Sequence, residues 1–136
     1  MKVFYALLIL LIPFFGFGQQ TFIPDDGFEQ TLIDLGYDDV LDDSVLTSSI
    51  DTIESFSSYA VNSLVGIEDF TALKYLYIKS VDSINLSNNH NLIEVFIQPI
   101  GQDTIDYFNV NGCVNLRSIQ ILLMGSKLGS SFNLDL

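Results

Sequence analysis

Three short segments of the chain carry large aliphatic residues at the same three positions, and this repetition restricts the fold more than any other feature. The segments LKYLYI, LIEVFI and LRSIQI, at residues 73–78, 92–97 and 116–121, have them at their first, fourth and sixth positions. A second set reads INLSNNHNL from Ile84, FNVNGCVNL from Phe108 and FNLDL from Phe132, with steps of 24 and 24. One short strand cannot bury its aliphatic residues alone, whereas stacked copies form a parallel sheet with a continuous core. The repetition therefore predicts a solenoid.

The length of the repeat narrows the class of solenoid. The first set of segments steps by 19 and then by 24, which indicates a short insertion near residues 99–103. A period in this range, headed by L-x-x-L-x-L, is typical of a leucine-rich repeat. Upstream, apolar residues at a spacing of three suggest one or two degenerate turns, and they are equally compatible with a short amphipathic helix. They are Ile50, Ile53, Phe56, Leu64, Ile67, Phe70, Leu73 and Leu76.

A helix is predicted before the repeats. Asp26 followed by Glu29 is a capping-box pattern with Asp26 as the capping residue, and Gly36 supplies the end of the helix. Four apolar residues, Phe28, Leu32, Ile33 and Leu35, then fall on one side. A helix this short is not stable alone in water, so its apolar side must pack against another part of the protein. The open end of the repeats is the expected packing partner. The fold class expected is an α/β solenoid, namely a short leucine-rich-repeat parallel β-sheet with an amino-terminal helical cap.

The segment from Met1 to Gly18 has the pattern of a secretory signal peptide. Lys2 is followed by an apolar run over residues 3–15 and by small residues at Gly16 and Gly18. The alternative is a retained membrane anchor, but the run is short for a bilayer, so no retained membrane span is expected. The protein is therefore predicted to be secreted or displayed on the cell surface. The predicted organisation is residues 1–18 as signal peptide, 19–63 as acidic helical cap and lead-in, and 64–136 as repeats with an incomplete last one.

The charge of the chain is strongly negative and unevenly distributed. The formal net charge is −12, and 12 of the 17 acidic residues lie between Asp25 and Asp69 with no Lys or Arg among them. A nucleic-acid partner is excluded because binding polyphosphate needs clustered basic residues. The run D-D-V-L-D-D at residues 38–43 invites a calcium interpretation, yet it does not fit the D-x-D-x-D-G loop. A solvated acidic loop is the favoured interpretation, and no metal site or cofactor is predicted.

Two longer stretches support a family resemblance. FIPDDGFEQTLIDLGYDDVLDD at residues 22–43 and GIEDFTALKYL at residues 66–76 resemble the amino-terminal region of secreted leucine-rich-repeat proteins common in the Bacteroidota. The resemblance covers nearly the whole mature chain. It implies an extracellular interaction module, of a kind often exported through a carboxy-terminal sorting domain.

The chain departs from that family's pattern in two ways. The position of the ladder Asn after each strand is taken by Val81, Ile100 and Met124. Other asparagines recur and could stack as replacement ladders, namely Asn85, Asn109 and Asn133, and again Asn91 and Asn115. The chain also stops at Leu136 inside a repeat, which suggests a truncated copy or a fragment, or self-association through the uncapped last repeat.

No enzyme is predicted. The chain contains no G-x-S-x-G, no G-x-x-x-x-G-K-S/T, no H-E-x-x-H and no paired C-x-x-C. His90 is expected to be a solvated polar residue of a turn, since no nucleophile is placed beside it. Cys113 is the single cysteine, so no internal disulfide forms, and a small buried side chain is expected there rather than a reactive thiol.

A different recurring pattern concerns modification. Asp followed by Ser or Thr and an aliphatic residue resembles the acceptor pattern for protein O-glycosylation in the same bacterial group. The candidate acceptors are Ser44, Thr52, Ser83 and Thr104. The alternative is that the repeats simply favour polar-polar-aliphatic turns.

The strand period supplies candidate binding residues. If the aliphatic residues of L-x-x-L-x-I point inward, the alternate residues lie on the outer, concave side of the sheet. They are Tyr75, Tyr77 and Lys79, then Glu94, Phe96 and Gln98, then Ser118, Gln120 and Leu122. Tyr77, Phe96 and Gln120 would form one row across three strands. The predicted function is binding of a protein or carbohydrate in adhesion or surface capture. The alternative is a structural capping segment of a larger secreted protein. In that case the aromatic residues only stabilise the sheet.

Overall fold

Parallel strands stacked side by side form the body of the protein. A computed structural model describes residues 18–79, 81, 83–99, 104–123, 127–128 and 134–135. The strands build a β-solenoid of about three turns, so the predicted repeat architecture is confirmed. The predictions for the signal peptide, for Ile100, Met124 and Asn133, and for the uncapped end at Leu136 fall on residues outside this description.

The described residues contain more strand segments than helices. The strands are β1 (Gln20–Phe22), β2 (Ser44–Leu46), β3 (Ser55–Ser58), β4 (Tyr75–Ile78), β5 (Ser83–Asn85), β6 (Glu94–Ile97), β7 (Thr104–Ile105), β8 (Tyr107–Asn109), β9 (Ser118–Ile121), β10 (Lys127–Leu128) and β11 (Leu134–Asp135). The helices are α1 (Asp26–Asp34), α2 (Thr47–Ile50) and a 3₁₀ turn at Ile67–Asp69. In this part of the chain no helix is long and apolar enough to cross a membrane.

The largest sheet has four parallel strands in the order β3, β4, β6, β9. Its register places Phe56, Leu76, Val95 and Ile119 side by side. The last three belong to the segments that share the L-x-x-L-x-L spacing, so the predicted alignment of the first set is confirmed. Phe56 adds a strand before them, whereas two other residues of the upstream apolar series are helical: Ile50 ends α2 and Ile67 begins the 3₁₀ turn.

Two smaller parallel sheets complete the coils. One has the order β11, β8, β5 and pairs Ile84 with Phe108, as the second set of segments predicts. The next step is different, because Phe108 pairs with Leu134 rather than with Phe132. The other sheet pairs β7 with β10, and β7 follows the predicted insertion near residues 99–103. Strands β1 and β2 form a separate antiparallel pair.

The core follows from the alternation of side chains along the strands. Leu76, Ile78, Val95 and Ile97 are each no more than 1% exposed. Val81 is buried as well, so the position of the usual ladder Asn is filled by an apolar side chain here. Cys113 is buried, as predicted.

Helix α1 lies where the sequence predicts it, but its capping differs. The capping residue is Asp25, whose Oδ1 accepts a hydrogen bond from the Phe28 backbone N–H at 2.8 Å. The assignment of that role to Asp26 is therefore wrong by one residue, and Glu29 lies one position too far along the helix to complete a capping box. The predicted end at Gly36 is confirmed: Gly36 has φ +81°, and its N–H donates to the Ile33 carbonyl at 2.9 Å.

The buried side of α1 is narrower than predicted. Phe28 and Leu32 are fully buried, and the Phe28 ring lies 5.0 Å from Phe56 and 5.7 Å from Phe70, measured between centroids. Leu35 is 54% exposed because it comes after the last helical residue, so its place on the buried side is a wrong prediction. The α/β class and the role of this helix as a cap stay predictions.

Candidate binding face on the four-stranded sheet

Residues that alternate with the core residues line the outer side of the four-stranded sheet. The strand register aligns them in rows. The first row is Ser55, Tyr75, Glu94 and Ser118, and the second is Ser57, Tyr77, Phe96 and Gln120. Lys79, Gln98 and Leu122 directly follow β4, β6 and β9, and their backbone N–H groups donate to Ser58, Ile78 and Ile97 of the preceding coils. The predicted row of Tyr77, Phe96 and Gln120 is therefore brought together, with Ser57 as a fourth member.

Two aromatic side chains dominate the second row. Tyr77 and Phe96 are half-buried, and their ring centroids lie 6.3 Å apart with an interplanar angle of 42°. Next to them the Lys79 ammonium lies 4.0 Å from the centroid of Tyr59, a ring that is 70% exposed. Flat apolar rings beside polar groups can bury area on a partner with little loss of side-chain entropy.

A small cleft lies between these rings. Its volume is about 200 Å³, and its lining residues are Ser57, Tyr59, Tyr77, Ile78, Lys79, Phe96 and Gln98. Most of the lining comes from the second row and from the residues that follow β3, β4 and β6. The cleft presents hydroxyl, amide and ammonium groups around the aromatic surface, so it offers hydrogen bonds as well as apolar contact.

Charged residues gather at the opposite ends of the same strands. Lys74, just before β4, forms an ion pair with Glu54 at 2.6 Å, and both side chains are exposed. Glu94 begins β6 and is half-buried. An exposed ion pair contributes about 0–1 kcal/mol to stability. This end of the sheet therefore offers charge, whereas the cleft end offers aromatic surface.

One corner of each coil is filled by an inward side chain whose chemistry changes along the solenoid. In successive coils this position is taken by Phe70, Asn89 and Cys113. Each of them donates its backbone N–H to the carbonyl oxygen of the residue three places before it, at 2.9 to 3.1 Å. The Asn89 Nδ2 donates to the backbone carbonyls of Ile67 at 2.8 Å and Phe70 at 3.2 Å. The Cys113 thiol donates to the Leu86 carbonyl at 3.1 Å, and burial raises the pKa of this thiol.

The other recurring asparagines have different roles from those predicted. Asn85 and Asn109 accept hydrogen bonds from backbone N–H groups two residues later in their own coils, so they make local turns rather than a ladder. Asn91 and Asn115 do join coils, donating to the carbonyls of Thr71 at 2.8 Å and His90 at 3.1 Å, but these bonds are exposed. The buried turn carbonyls are satisfied instead by Asn89, which the sequence reasoning missed.

His90 lies in an exposed turn, and its Nδ1 is 2.9 Å from the Gly112 carbonyl oxygen. This placement agrees with the prediction of a solvated polar residue.

A buried carboxylate of α1 holds the acidic loop that follows the helix. Glu29 is fully buried, and its Oε1 accepts hydrogen bonds from the backbone N–H groups of Asp42 at 3.0 Å and Ser44 at 2.9 Å. Burial raises the pKa of Asp38, and the nearby carboxylates of Glu29, Asp42 and Asp39 raise it further, against the hydrogen bond from the Asp39 N–H. The sequence reasoning missed Glu29 because its position fits a capping box.

The four candidate acceptors for glycosylation differ in exposure. Thr52 and Ser83 are exposed. Thr104 and Ser44 are half-buried, and the Ser44 hydroxyl donates to Asp42 Oδ1 at 2.8 Å. Thr52 and Ser83 are therefore the more accessible candidates.

A scan of the chain against models of known protein families gives no match, and a search of curated proteins finds none either.

Two residues of the candidate face, Ser57 and Tyr59, were missed by the sequence reasoning because β3 lacks the full aliphatic pattern. The signal that finds β3 is the spacing from Phe56 to Leu76, which nearly equals the spacing from Leu76 to Val95.

Proposed function

We propose that this protein is an exported, non-enzymatic leucine-rich-repeat module that binds an extracellular protein or glycan with the outer side of its four-stranded sheet. The observation that carries the proposal is the row of Ser57, Tyr77, Phe96 and Gln120. Export to the cell surface or beyond rests on the signal-peptide pattern from Met1 to Gly18.

The aromatic pair supports binding because it occupies a surface position. Neighbouring strand residues Leu76, Ile78, Val95 and Ile97 already fill the core beneath it. Large rings on the outer side add apolar area that water contacts in the unbound protein, and binding hot spots are enriched in such residues. The cleft of about 200 Å³ beside the rings supplies polar groups that fix the orientation of a partner.

The helix is proposed to close the first coil. Phe28 of α1 packs on Phe56 and Phe70, which belong to the first two coils and contact each other with centroids 5.6 Å apart. Those rings would be open to water without it, and terminal repeats of a solenoid need such covering. In this proposal α1 is a cap with no part in binding.

A structural segment with no ligand of its own is the second candidate. The contact between Tyr77 and Phe96 favours it, since aromatic pairs across neighbouring strands stabilise sheets by about 0.2–1 kcal/mol. The two candidates predict different results when both rings are removed.

The test is the double variant Tyr77→Ala with Phe96→Ala, measured against immobilised extracellular glycans and matrix proteins to which the unmodified protein binds. Because truncating a hot-spot residue costs about 2 kcal/mol or more, we expect binding to fall at least about thirtyfold. The matched control is Tyr107→Ala, which removes an exposed ring from β8 outside this sheet. Circular dichroism checks that each variant folds.

Unchanged binding by the double variant, or an equal loss by the control, contradicts the assignment of the face. If the folded, unmodified protein binds none of the probes, the structural candidate is favoured.

A further inference from the structure

The Glu29 carboxylate has a buried oxygen without a hydrogen-bond partner. Its Oε1 is held by the N–H groups of Asp42 and Ser44, which directs the carboxylate into the acidic loop. Its Oε2 is buried and has no hydrogen-bond partner among the described residues. Asp38 repeats the pattern: one oxygen accepts from the Asp39 N–H, and the buried Oδ2 has no partner in this part of the chain.

Within the described residues, no Lys, Arg or His forms an ion pair with these carboxylates. The sequence from residue 18 to residue 73 contains no Lys, Arg or His, and Asp39, Asp42 and Asp43 share the loop. A buried carboxylate that lacks a counter-charge is costly, so buried charges in proteins are paired or coordinate metal ions. Two buried oxygens with unused lone pairs beside a negative loop thus have the chemistry of a cation site.

The Asp38 side of the loop is open to solvent. A cleft of about 480 Å³ opens over the loop and is lined by Asp38, Asp39 and Asp42 together with Tyr37 and Ser44. A hydrated ion can therefore approach Asp38 from this cleft, whereas Glu29 lies beneath the lining. No group of three or more His, Cys, Asp or Glu side chains within the described residues is arranged to hold a metal ion. The carboxylates alone are thus too few.

We propose that the loop after α1 binds one Ca²⁺ ion through Glu29 Oε2 and Asp38 Oδ2, with backbone carbonyls and water as the remaining ligands. Ca²⁺ takes six to eight oxygen ligands in flexible geometry, which suits two carboxylates supplemented by other oxygens. The ion joins the helix to the loop that leads into β2, so it stabilises the amino-terminal part of the fold. This site is independent of the sheet face and of the proposed partner.

The first measurement is thermal unfolding of the purified protein with EDTA or with about 10 mM CaCl₂ near pH 7. Extracellular calcium modules have Kd values of about 10⁻⁴–10⁻³ M, so this concentration saturates such a site. We expect the melting temperature to rise by about 5 °C or more. Glu29→Gln keeps an oxygen for the Asp42 and Ser44 N–H groups, and Asp38→Asn removes the second ligand charge; both variants should lose the rise. The matched control is Asp106→Asn, an exposed carboxylate far along the chain, which should keep it.

A second measurement reports binding directly. Tb³⁺, which takes the oxygen ligands of Ca²⁺, becomes luminescent when a nearby tyrosine is excited, and the chain has no Trp to interfere. Tyr37 lines the cleft, so luminescence should appear on adding Tb³⁺, fall when CaCl₂ competes, and be lost in Tyr37→Phe. This signal remains informative if Glu29→Gln fails to fold, because Asp38→Asn should also lose it.

Three results overturn the proposal. One is a melting temperature that CaCl₂ leaves unchanged. Another is an equal rise in Asp38→Asn and the unmodified protein, which would indicate general screening of the negative charge. The third is an equal rise with NaCl of matched ionic strength.

Discussion

The buried amide of Asn89 is predicted to stabilise the solenoid out of proportion to its size. Its Nδ2 donates to two backbone carbonyls of the preceding coil, at 2.8 and 3.2 Å, and the residue is 0% exposed. Asn89→Ala removes both bonds and leaves a small cavity. Each carbonyl keeps one backbone partner, since Ile67 accepts from Phe70 and Phe70 accepts from Leu73.

The magnitude follows from these contacts. A net hydrogen bond contributes about 0.5–1.5 kcal/mol, so the loss of two bonds lowers the free energy of unfolding by about 2 kcal/mol. The Asn89 Oδ1 is buried with no hydrogen-bond partner among the described residues, so its removal offsets a part of this loss. For a domain of this size the melting temperature should fall by roughly 6–12 °C. Asn89→Cys introduces the side chain that occupies the equivalent corner one coil later, and it should cost about half as much.

The assay is urea and thermal unfolding followed by circular dichroism, with Asn91→Ala as the matched control. Asn91 lies in the same turn and donates to the Thr71 carbonyl at 2.8 Å, but the bond is exposed. Its loss should cost under about 0.5 kcal/mol, because water replaces the partner. If Asn89→Ala and Asn91→Ala destabilise the protein equally, burial does not set the energy of these bonds and the reasoning is refuted.

Two further predictions concern the core. Phe28→Ala should lower the free energy of unfolding by about 3–5 kcal/mol, because it leaves a cavity where the buried ring packed on Phe56 and Phe70. Leu35→Ala, at an exposed position, should change it by less than about 0.5 kcal/mol, and chemical unfolding compares the two variants. Burial raises the pKa of the Cys113 thiol above its ordinary value of 9.0, so the unfolded chain loses the proton first. Stability should therefore be unaffected by this group below pH 9.0 and fall as the pH rises above it, and Cys113→Ala should abolish that fall. A thiol reagent that labels native Cys113 as fast as the unfolded chain would contradict its burial.

The solenoid itself could be predicted because its cause is periodic. Aliphatic residues at the first, fourth and sixth positions of each segment determined the register of β4, β6 and β9. The same alternation predicts Tyr77 beside Phe96 on the outer side of the sheet, as the register has them. Strand β3 was harder to predict from the sequence because Ser58 takes the position that Ile78 and Ile97 have in the later strands. Phe56 is therefore the one inward aliphatic or aromatic residue of β3.

Residues whose role depends on contacts distant in the sequence could not be assigned. The Glu29 carboxylate accepts hydrogen bonds from the N–H groups of Asp42 and Ser44, thirteen and fifteen residues away. No local sequence pattern predicts such a bond. Asn89 bonds to the carbonyls of Ile67 and Phe70 in the preceding coil. Its spacing to Cys113 equals the spacing from Ile84 to Phe108, and this signal could have marked the corner. Leu35 fits the helical period, but the helix ends one residue before it.

The alternation of the strands also separates the residues that hold the fold from those proposed to bind. A slip of one residue in the register would turn Tyr77 inward and Leu76 outward, so the buried row of Leu76 and Val95 fixes the alignment of the outer row above it. Tyr77 lies beside Phe96 because Leu76 lies beside Val95. The outer row can therefore change without opening a cavity in the core, and removal of both rings should leave the coils stacked. A loss of binding in that double variant can then be attributed to the surface, which is why it discriminates between a recognition face and a purely structural one.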